Sequence, residues 1–406
     1  MKRIGRACVG WLLFLGRSVK NIAQNIRALL GPGPGWSGMK RWLLQIASLG
    51  AIAGVGGFLV AALGLVPIKA SSGHWPITAW FLHFTMVRSV STHTLGVEVP
   101  ALDDSGMVLQ GATHYATGCF PCHGDPSIHQ PRIAKQMTPH PPYLPPIVDQ
   151  WEPEELFYIV KHGVKFTGMP AWPTQQRDDE VWAIVAFLKK FPELTEQEYL
   201  RMVSGASQVI GQVTPLEVLS GRSVVVQSLT ESCNRCHGMD GQGREEGLAP
   251  KLAGQKPQYL EASLEAYRQG KRHSGIMEPI AVGLSREEIR EVAEYYGKID
   301  VQQPTLNAQE SELAAIRRGE IIAREGVPKA GIPICSQCHG PGDNPRNPAY
   351  PNLEGQYADY LALQLKLFAS DHRGGSRFAS LMDPVADQLT SEQMRDVALY
   401  YESLKE

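Results

Sequence analysis

The longest apolar stretch of the chain lies near its N-terminus. From Trp42 to Ile68, 27 residues carry no charge: WLLQIASLGAIAGVGGFLVAALGLVPI. About 20 apolar residues cross the hydrocarbon core of a bilayer, whereas the apolar part of a cleaved secretory signal has only about 7–15. The pattern therefore predicts a transmembrane helix over residues 42–68 that stays on the mature chain. Cleavage after the small residues near Ala70 is the alternative.

Three later segments have the periodicity of an amphipathic helix. Their apolar residues recur at intervals of three and four, and Ser285 followed by Glu288 is typical of a capping box. The segments are residues 178–191, 285–299 and 391–404. Since no segment shows the sustained alternation of a β-strand, the predicted fold class is mostly α.

Each amphipathic helix closes a unit that repeats along the chain. Every unit has an approach segment, a pair of cysteines followed by a histidine, a proline-bearing loop, a methionine and then the helix. Such repetition is typical of tandem copies of one structural module. Polar stretches near 192–214 and 302–310 separate the units. The predicted organisation is a linker over 69–105 and three domains at 106–195, 215–301 and 310–406.

Charge gives the anchor an orientation. Residues 1–41 hold eight Lys and Arg residues and no acidic residue. Positive flanks stay on the cytoplasmic side of a membrane. We therefore expect a basic cytoplasmic arm over 1–41, a single pass through a bacterial inner membrane, and the domains in the periplasm. The net charge of −2 gives no basis for nucleic-acid binding, which usually needs a basic patch.

Six of the seven cysteines fall into three Cys-x-x-Cys-His motifs. Two thiols at this spacing on a helical turn reach the two vinyl groups along one haem edge, and the histidine then faces the iron. A zinc site would need further Cys or His ligands nearby, and a thioredoxin-like pair would lie in a βαβ pattern; the sequence has neither. Three covalently bound haem c groups are therefore predicted, and Cys8 has no partner. The motifs are Cys119, Cys122 and His123; Cys233, Cys236 and His237; and Cys335, Cys338 and His339.

A methionine at a matching place in each unit is the predicted second axial ligand. Met169, Met277 and Met382 lie 46, 40 and 43 residues after the motif histidines, and proline follows each within two residues. A thioether opposite a histidine raises the reduction potential of the haem. We therefore predict three haems with one histidine and one methionine ligand each.

Competing ligands and further contacts follow from the same spacing. Met137 and Met239 are expected to lie too close to their histidines to reach the opposite haem face. We expect each motif histidine to donate its second ring N–H to a proline carbonyl, because ligating histidines usually have such a partner. The competing ligands are His162, His273 and His372; the carbonyls are those of Pro250, Pro351 and either Pro141 or Pro142; candidates to hold haem propionates are Tyr259, Arg268, Tyr360 and Arg373.

These residues carry a resemblance to a known family. Residues 114–190, with GCFPCHG, TGMPAW and EVWAIVAFL, resemble a bacterial class I cytochrome c domain. Residues 220–405 resemble the dihaem class I cytochromes c of the periplasm, through CNRCHGMDGQG, PKLAGQKPQYL and IMEPIAVGLS and their later counterparts CSQCHGPG, PNLEGQYADYL and LMDPVADQLT. The resemblance implies helical domains whose His/Met haems pass single electrons. It also implies that Gly111 packs against the last helix of its domain, whereas Gly221 and Gly319 depart from that spacing.

The expected function is electron transfer without substrate chemistry. Three irons with two protein ligands each leave no open position for a substrate, so we expect no catalytic residue. The expected partners are the inner membrane and a quinol–cytochrome c reductase, a dehydrogenase or a terminal oxidase. The alternative is a cytochrome c subunit of a membrane-bound alcohol or aldehyde dehydrogenase, or of a terminal oxidase complex. A haem enzyme such as a peroxidase would need a five-coordinate iron.

Overall fold

A computed structural model describes residues 38–404, except for 67, 128, 204–232, 239, 245–246, 248, 302–309 and 342–345. Most of the predicted basic arm, Cys8, Gly221 and Met239 lie outside the described residues. The chain forms two compact units, Met1–Ser72 and Gly73–Glu406. The described residues are mostly helical and contain no strand, only an isolated bridge between Val327 and Ile332. The predicted mostly-α class is confirmed.

The first unit contains one long apolar helix, α1, over Gly38–Ala62. Its segment Trp42–Ala62 has a mean hydropathy of 1.9 and is long and apolar enough to cross a membrane. At 1.5 Å per residue these residues extend about 32 Å, close to the ~30 Å hydrocarbon core of a bilayer. The helix ends six residues before the predicted limit at Ile68, because the N–H of Leu65 turns back to the carbonyl of Val60 at 3.1 Å.

A second helix, α2, runs over Pro76–His93 in the segment expected to be a linker. Its C-terminal half packs on the first domain, where Ser91 Oγ donates to Glu155 Oε1 at 2.7 Å and Val90 is buried. Its N-terminal half leaves Trp80 and Phe81 exposed. The predicted linker therefore contains a helix. The repeat pattern of the sequence does not predict this helix, because α2 has no counterpart in the later units.

The second unit contains the three segments predicted as domains, named domain 1, domain 2 and domain 3 in chain order. Domain 1 is built around a crossing of its first and last long helices. Gly111 lies at the crossing, where a Cβ atom would be 2.1 Å from the carbonyl oxygen of Ala183, so the resemblance correctly places a small residue there. Tyr115 and Phe187 pack beside it and are fully buried. The helices are α3 (Ser105–His114), α4 (Phe120–His123), α5 (Pro153–His162), α6 (Asp178–Lys190) and α7 (Glu196–Val203).

Domain 2 has a smaller core of Leu260, Val292 and Tyr296. The predicted capping box is confirmed: Ser285 accepts from the N–H of Glu288, and Glu288 accepts from the N–H of Ser285 at 2.7 Å. Residues 233–237 form a short helix that contains the second motif. The other helices are α8 (Pro257–Arg268), α9 (Met277–Val282) and α10 (Arg286–Gly297).

Domain 3 repeats the helix crossing of domain 1. Gly319 is 16 residues before Cys335, against 8 from Gly111 to Cys119, yet it lies at the crossing: a Cβ atom there would be 2.0 Å from the carbonyl oxygen of Asp396. The longer connection contains the turn closed by the bridge between Val327 and Ile332. The helices are α11 (Glu310–Glu325), α12 (Ser336–His339), α13 (Ala358–Ala369), α14 (Asp383–Asp387) and α15 (Ser391–Ser403).

Replacement of Gly319 by valine should separate α11 from α15. The added atoms would overlap a backbone oxygen, and overpacking of this kind costs about 1–3 kcal/mol. Guanidinium unfolding followed by circular dichroism should show the earliest transition shifted to lower denaturant. Gly283→Val is the control, because the nearest atom to its Cβ would be at 3.4 Å. Equal midpoints for the two variants would contradict the close crossing.

Candidate functional site

One continuous cavity of about 2070 Å³ runs through the second unit and borders every motif cysteine and every predicted iron ligand. Pockets for drug-sized ligands occupy about 300–1,000 Å³, so the space accommodates more than one large planar group. Its walls include the six motif cysteines, the three motif histidines and the three predicted methionines: Cys119, Cys122, His123, Met169, Cys233, Cys236, His237, Met277, Cys335, Cys338, His339 and Met382.

The three motif histidines have the same hydrogen bond. Nδ1 of His123 lies 2.8 Å from the carbonyl oxygen of Pro142, and the corresponding distances are 2.8 Å from His237 to Pro250 and 3.1 Å from His339 to Pro351. A carbonyl only accepts, so Nδ1 must carry the proton and donate. Burial lowers the pKa of all three imidazoles, which favours the neutral ring. Nε2 is thereby left as the nitrogen with a free lone pair, the form that ligates iron.

The thiols lie in apolar surroundings. Burial raises the pKa of Cys119 to about 12 and that of Cys335 to about 11, and it also raises the pKa of Cys233 and Cys236. A thioredoxin-like pair needs the opposite shift. Among the described residues, no group of three or more His, Cys, Asp or Glu side chains has the arrangement of a metal site.

Local backbone bonds shape the loop that carries Met169. The N–H of Val164 donates to the carbonyl of Met169 at 3.2 Å, and the N–H of Met169 donates to Thr167 Oγ1 at 3.1 Å. The N–H of Trp172 reaches back to the carbonyl of Lys161 at 3.0 Å. The loop therefore folds onto the end of α5 with Met169 at the cavity wall.

The competing ligands differ in position. Neither His273 nor His372 borders the cavity, and His273 Nδ1 lies 3.6 Å from Glu278 Oε1. His162 does border it, with its ring 4.7 Å from that of Tyr158. The geometry therefore favours methionine over histidine in domains 2 and 3, and leaves both side chains at the cavity in domain 1.

Two further residues border the cavity: Met137, which the sequence spacing excluded as a ligand, and His114, which no sequence motif singled out. Met137 borders the cavity, and a Cβ on Gly168 would be 2.1 Å from its Cε, so its short separation from His123 does not keep it from the Met169 loop. His114 lies with its ring centre 4.7 Å from that of Trp172, and burial lowers its pKa to about 4. Neither contact has a local sequence signal, since both join separate segments.

Domains 2 and 3 meet through a reciprocal pair of glutamines. The side chain of Gln255 donates to the carbonyl of Asn352 at 2.9 Å and accepts from its N–H at 2.8 Å. Gln356 binds Lys251 in the same way, at 3.1 and 2.9 Å. Each residue lies 101 positions from its counterpart, so the contact has pseudo-two-fold symmetry.

Two buried arginines extend the same symmetry along the cavity. Arg272 donates to Tyr360 at 3.1 Å, and its counterpart Arg373 donates to Tyr259 at 3.0 Å. Neither forms an ion pair with a carboxylate among the described residues, although both are less than 10% exposed. Buried charges need a counter-charge. Haem propionates would supply it, and the residues present therefore fit the group.

Arg268, which was predicted to hold a haem propionate, is not at the predicted place. Arg268 does not border the cavity; its guanidinium donates to Glu265 Oε2 at 2.8 Å, three residues earlier on α8. Arg272 takes the place expected for it, whereas Tyr259, Tyr360 and Arg373 border the cavity as expected. Arg268 ends α8 and Arg272 lies in the turn after it, and the sequence pattern does not show which of the two faces another domain.

Two segments of the chain match known protein families. Residues 106–188 match the family described as cytochrome c oxidase, cbb3-type, subunit III, and residues 225–299 match the family described as cytochrome c. Cytochrome c-552 of Acidithiobacillus ferridurans is 34% identical over 180 residues, which cover 43% of this chain and 75% of that protein. The chain belongs to the cytochrome c family.

Two further proteins are similar to this cytochrome c over comparable shares of its length. Cytochrome c4 of Thiocapsa roseopersicina is 34% identical over 43% of this chain and 88% of its own length. The thiosulfate dehydrogenase electron acceptor of Thiomonas intermedia (strain K12) is 35% identical over 41% of this chain and 76% of its own length. This cytochrome c is an electron carrier with homology to dihaem cytochrome c4, and its domains imply covalently bound haem c.

Proposed function

We propose that this cytochrome c is a membrane-anchored carrier that passes single electrons through three haem c groups. The observation that carries the proposal is the threefold match of two cysteines, a histidine bonded to a proline carbonyl, and a methionine around one continuous cavity. Covalently bound haem supplies one-electron iron chemistry there. The paired cysteines would hold the group, and a histidine and a methionine would be the two protein ligands of its iron.

The proposed residues have distinct roles in each domain. The six motif cysteines form the thioether links, while His123, His237 and His339 orient Nε2 toward the iron by donating Nδ1–H to proline. Met169, Met277 and Met382 supply the opposite ligands. Arg272 and Arg373 balance propionate charge where domains 2 and 3 meet. With a histidine and a methionine both bound, each iron would exchange electrons and would have no position left for a substrate.

The proposed location is the periplasmic side of a bacterial inner membrane. The length and composition of α1 support an anchor. Eight basic residues and no acidic residue over residues 1–41 support a cytoplasmic N-terminus, with the domains on the other side. The exposed aromatic residues of α2, Trp80 and Phe81, suit the interfacial region just beyond the anchor.

The proposed partners are redox proteins of a respiratory chain. The similarity to a thiosulfate dehydrogenase electron acceptor favours a carrier that takes electrons from a periplasmic dehydrogenase. The match of residues 106–188 to a cbb3-type oxidase subunit favours the second candidate, a cytochrome c subunit of a terminal oxidase complex. Purification from membranes separates the two, since a subunit remains with its oxidase in mild detergent and a carrier does not.

The intact mass of the purified full-length protein should show three covalent haem additions. The reduced protein should not bind carbon monoxide, because each iron already has two protein ligands. Mass spectrometry and the absorption spectrum under carbon monoxide check both statements. Fewer additions would remove a haem from the proposal, and a carbon monoxide adduct would indicate an open iron of the kind that a haem enzyme uses.

A further inference from the structure

Glu180 of α6 leaves its own domain and reaches the loop before Met277. Its Oε1 accepts from Ser274 Oγ at 2.6 Å, and its Oε2 accepts from the N–H of Gly275 at 2.6 Å. The side chain is 2% exposed. A carboxylate of domain 1 therefore binds polar groups of domain 2 in a dry contact, where an unpaired partner would be costly.

Ser274 connects Glu180 to Met277 through its hydroxyl group. Its Oγ donates to Glu180 and accepts from the N–H of Ile276 at 3.3 Å and from the N–H of Met277 at 3.0 Å. A hydroxyl has one donor and two acceptor sites, so its capacity is fully used. The N–H groups of Gly275, Ile276 and Met277 therefore donate either to Glu180 or to the serine hydroxyl that Glu180 orients.

Arg177 and Trp172 hold Glu180 in place from within domain 1. Arg177 lies 3.0 Å from Glu180 Oε1 and also donates to the carbonyl of His273 at 3.0 Å. Trp172 Nε1 donates to Glu180 Oε2 at 3.2 Å, and a Cβ on Gly275 would be 2.0 Å from that nitrogen. Four donors therefore meet the two oxygens, which suits the ionised carboxylate.

The contact between domains 1 and 2 also includes residues other than Glu180. Arg244 of domain 2 donates to the carbonyl of Met202 in domain 1 at 2.9 Å. Thr113 of domain 1 and Cys236, one of the motif cysteines, border the same cavity. Domain 1 thus borders the second haem site both at a cysteine and at the methionine loop.

We propose that Glu180 is a positioning residue for Met277, so that domain 1 completes the axial site of the second haem. The proposal rests on the function proposed above. A buried ion pair is weak evidence for stability, because desolvation offsets its attraction, but it specifies geometry where both partners are satisfied. Domain 3 offers the contrast: the N–H of Met382 donates to Ala379 of its own domain at 2.8 Å. The third haem therefore needs no such support.

Imidazole binding tests the proposal on the full-length, haem-loaded protein in detergent. Imidazole competes with methionine for ferric iron, so its affinity measures how firmly the methionine loop is held. Glu180→Ala should raise the affinity at one haem about tenfold, equivalent to about 1.4 kcal/mol. Glu180→Gln should raise it less, because the amide keeps one acceptor oxygen. Absorption titration gives the affinities.

A second variant assigns the effect to the second haem. In a Met277→Ala background the axial position is already open, so the added Glu180→Ala change should leave imidazole affinity unaltered. Such non-additivity is the signature of two residues that act on one site. Full additivity of the two changes would overturn the proposal.

Asp396→Asn is the matched control. Asp396 is also a buried carboxylate bound to an arginine, Arg318, at 2.6 and 2.7 Å, but both residues belong to domain 3. This variant should keep the wild-type imidazole affinity at the second haem. Wild-type affinity in both Glu180 variants, with three haems present, would overturn the proposal; if Glu180→Ala does not fold, Glu180→Gln decides. Absence of the second haem from the wild-type protein would instead contradict the proposed function.

Discussion

Met169→Ala is expected to convert one haem to a high-spin state and to lower its reduction potential. Loss of the thioether removes the proposed sixth ligand, and Met/His ligation is what raises the potential of such haems. The decrease should be roughly 0.1–0.3 V, part of the roughly 0.8 V range that axial ligands control. Absorption spectra and a potentiometric titration measure the two effects.

Met137→Ala is the control, because Met137 contacts the Met169 loop without matching the methionines of the other domains. It should leave the spin state unchanged and alter only packing. The reverse outcome, high-spin haem in Met137→Ala and an unchanged spectrum in Met169→Ala, would assign the ligand to Met137. His162→Ala provides the same test for the histidine at this cavity wall.

Replacing both Cys335 and Cys338 by serine is expected to remove one haem and unfold domain 3. The two thioether links would be lost, and the walls around Met382, Leu361 and Tyr401 would then face an unfilled space. Domains 1 and 2 should keep their haems, because their hydrophobic cores are separate from that of domain 3. Intact mass should show one fewer haem addition, and circular dichroism should show less helix.

Cys8→Ser is the matched control for this double variant. Cys8 belongs to no Cys-x-x-Cys-His motif, so its loss should leave the mass of the bound haem unchanged. A full set of haem additions in the Cys335/Cys338 variant would contradict the assignment of the third motif.

Local spacing predicted the parts of the site that lie within one unit. The proline carbonyls that accept from His237 and His339 lie 13 and 12 residues after them, and both were expected from matching sequence contexts. The capping box of Ser285 followed from four residues. Such features depend on short segments whose geometry is nearly independent of the rest of the chain.

Contacts between distant segments could not be predicted in this way. Glu180 resembles an ordinary acidic residue in the first turn of a helix, where it would favour the helix dipole, and its reach into domain 2 has no sequence pattern. Arg268 is the last residue of α8, and Arg272 lies four residues later in the turn that follows the helix. Gly319 departs from the spacing of domain 1 because a turn is inserted before Cys335. This insertion lengthens the connection and leaves the helix crossing unchanged.

The glutamine contact between domains 2 and 3 has a consequence for how the two domains can diverge. Reciprocal contacts of this kind are what a symmetric contact between two identical copies becomes when duplication joins the copies in one chain. Gln255 and Gln356 bind only the backbone of Asn352 and Lys251, so these four hydrogen bonds do not depend on the side chains at those two positions. The side chain of Lys251 adds a bond of its own, from Nζ to the carbonyl of Gly355 at 2.6 Å. Lys251 and Asn352 already differ while both glutamines are kept. The duplicated positions can therefore differ in charge and in their further contacts while the four glutamine hydrogen bonds are kept.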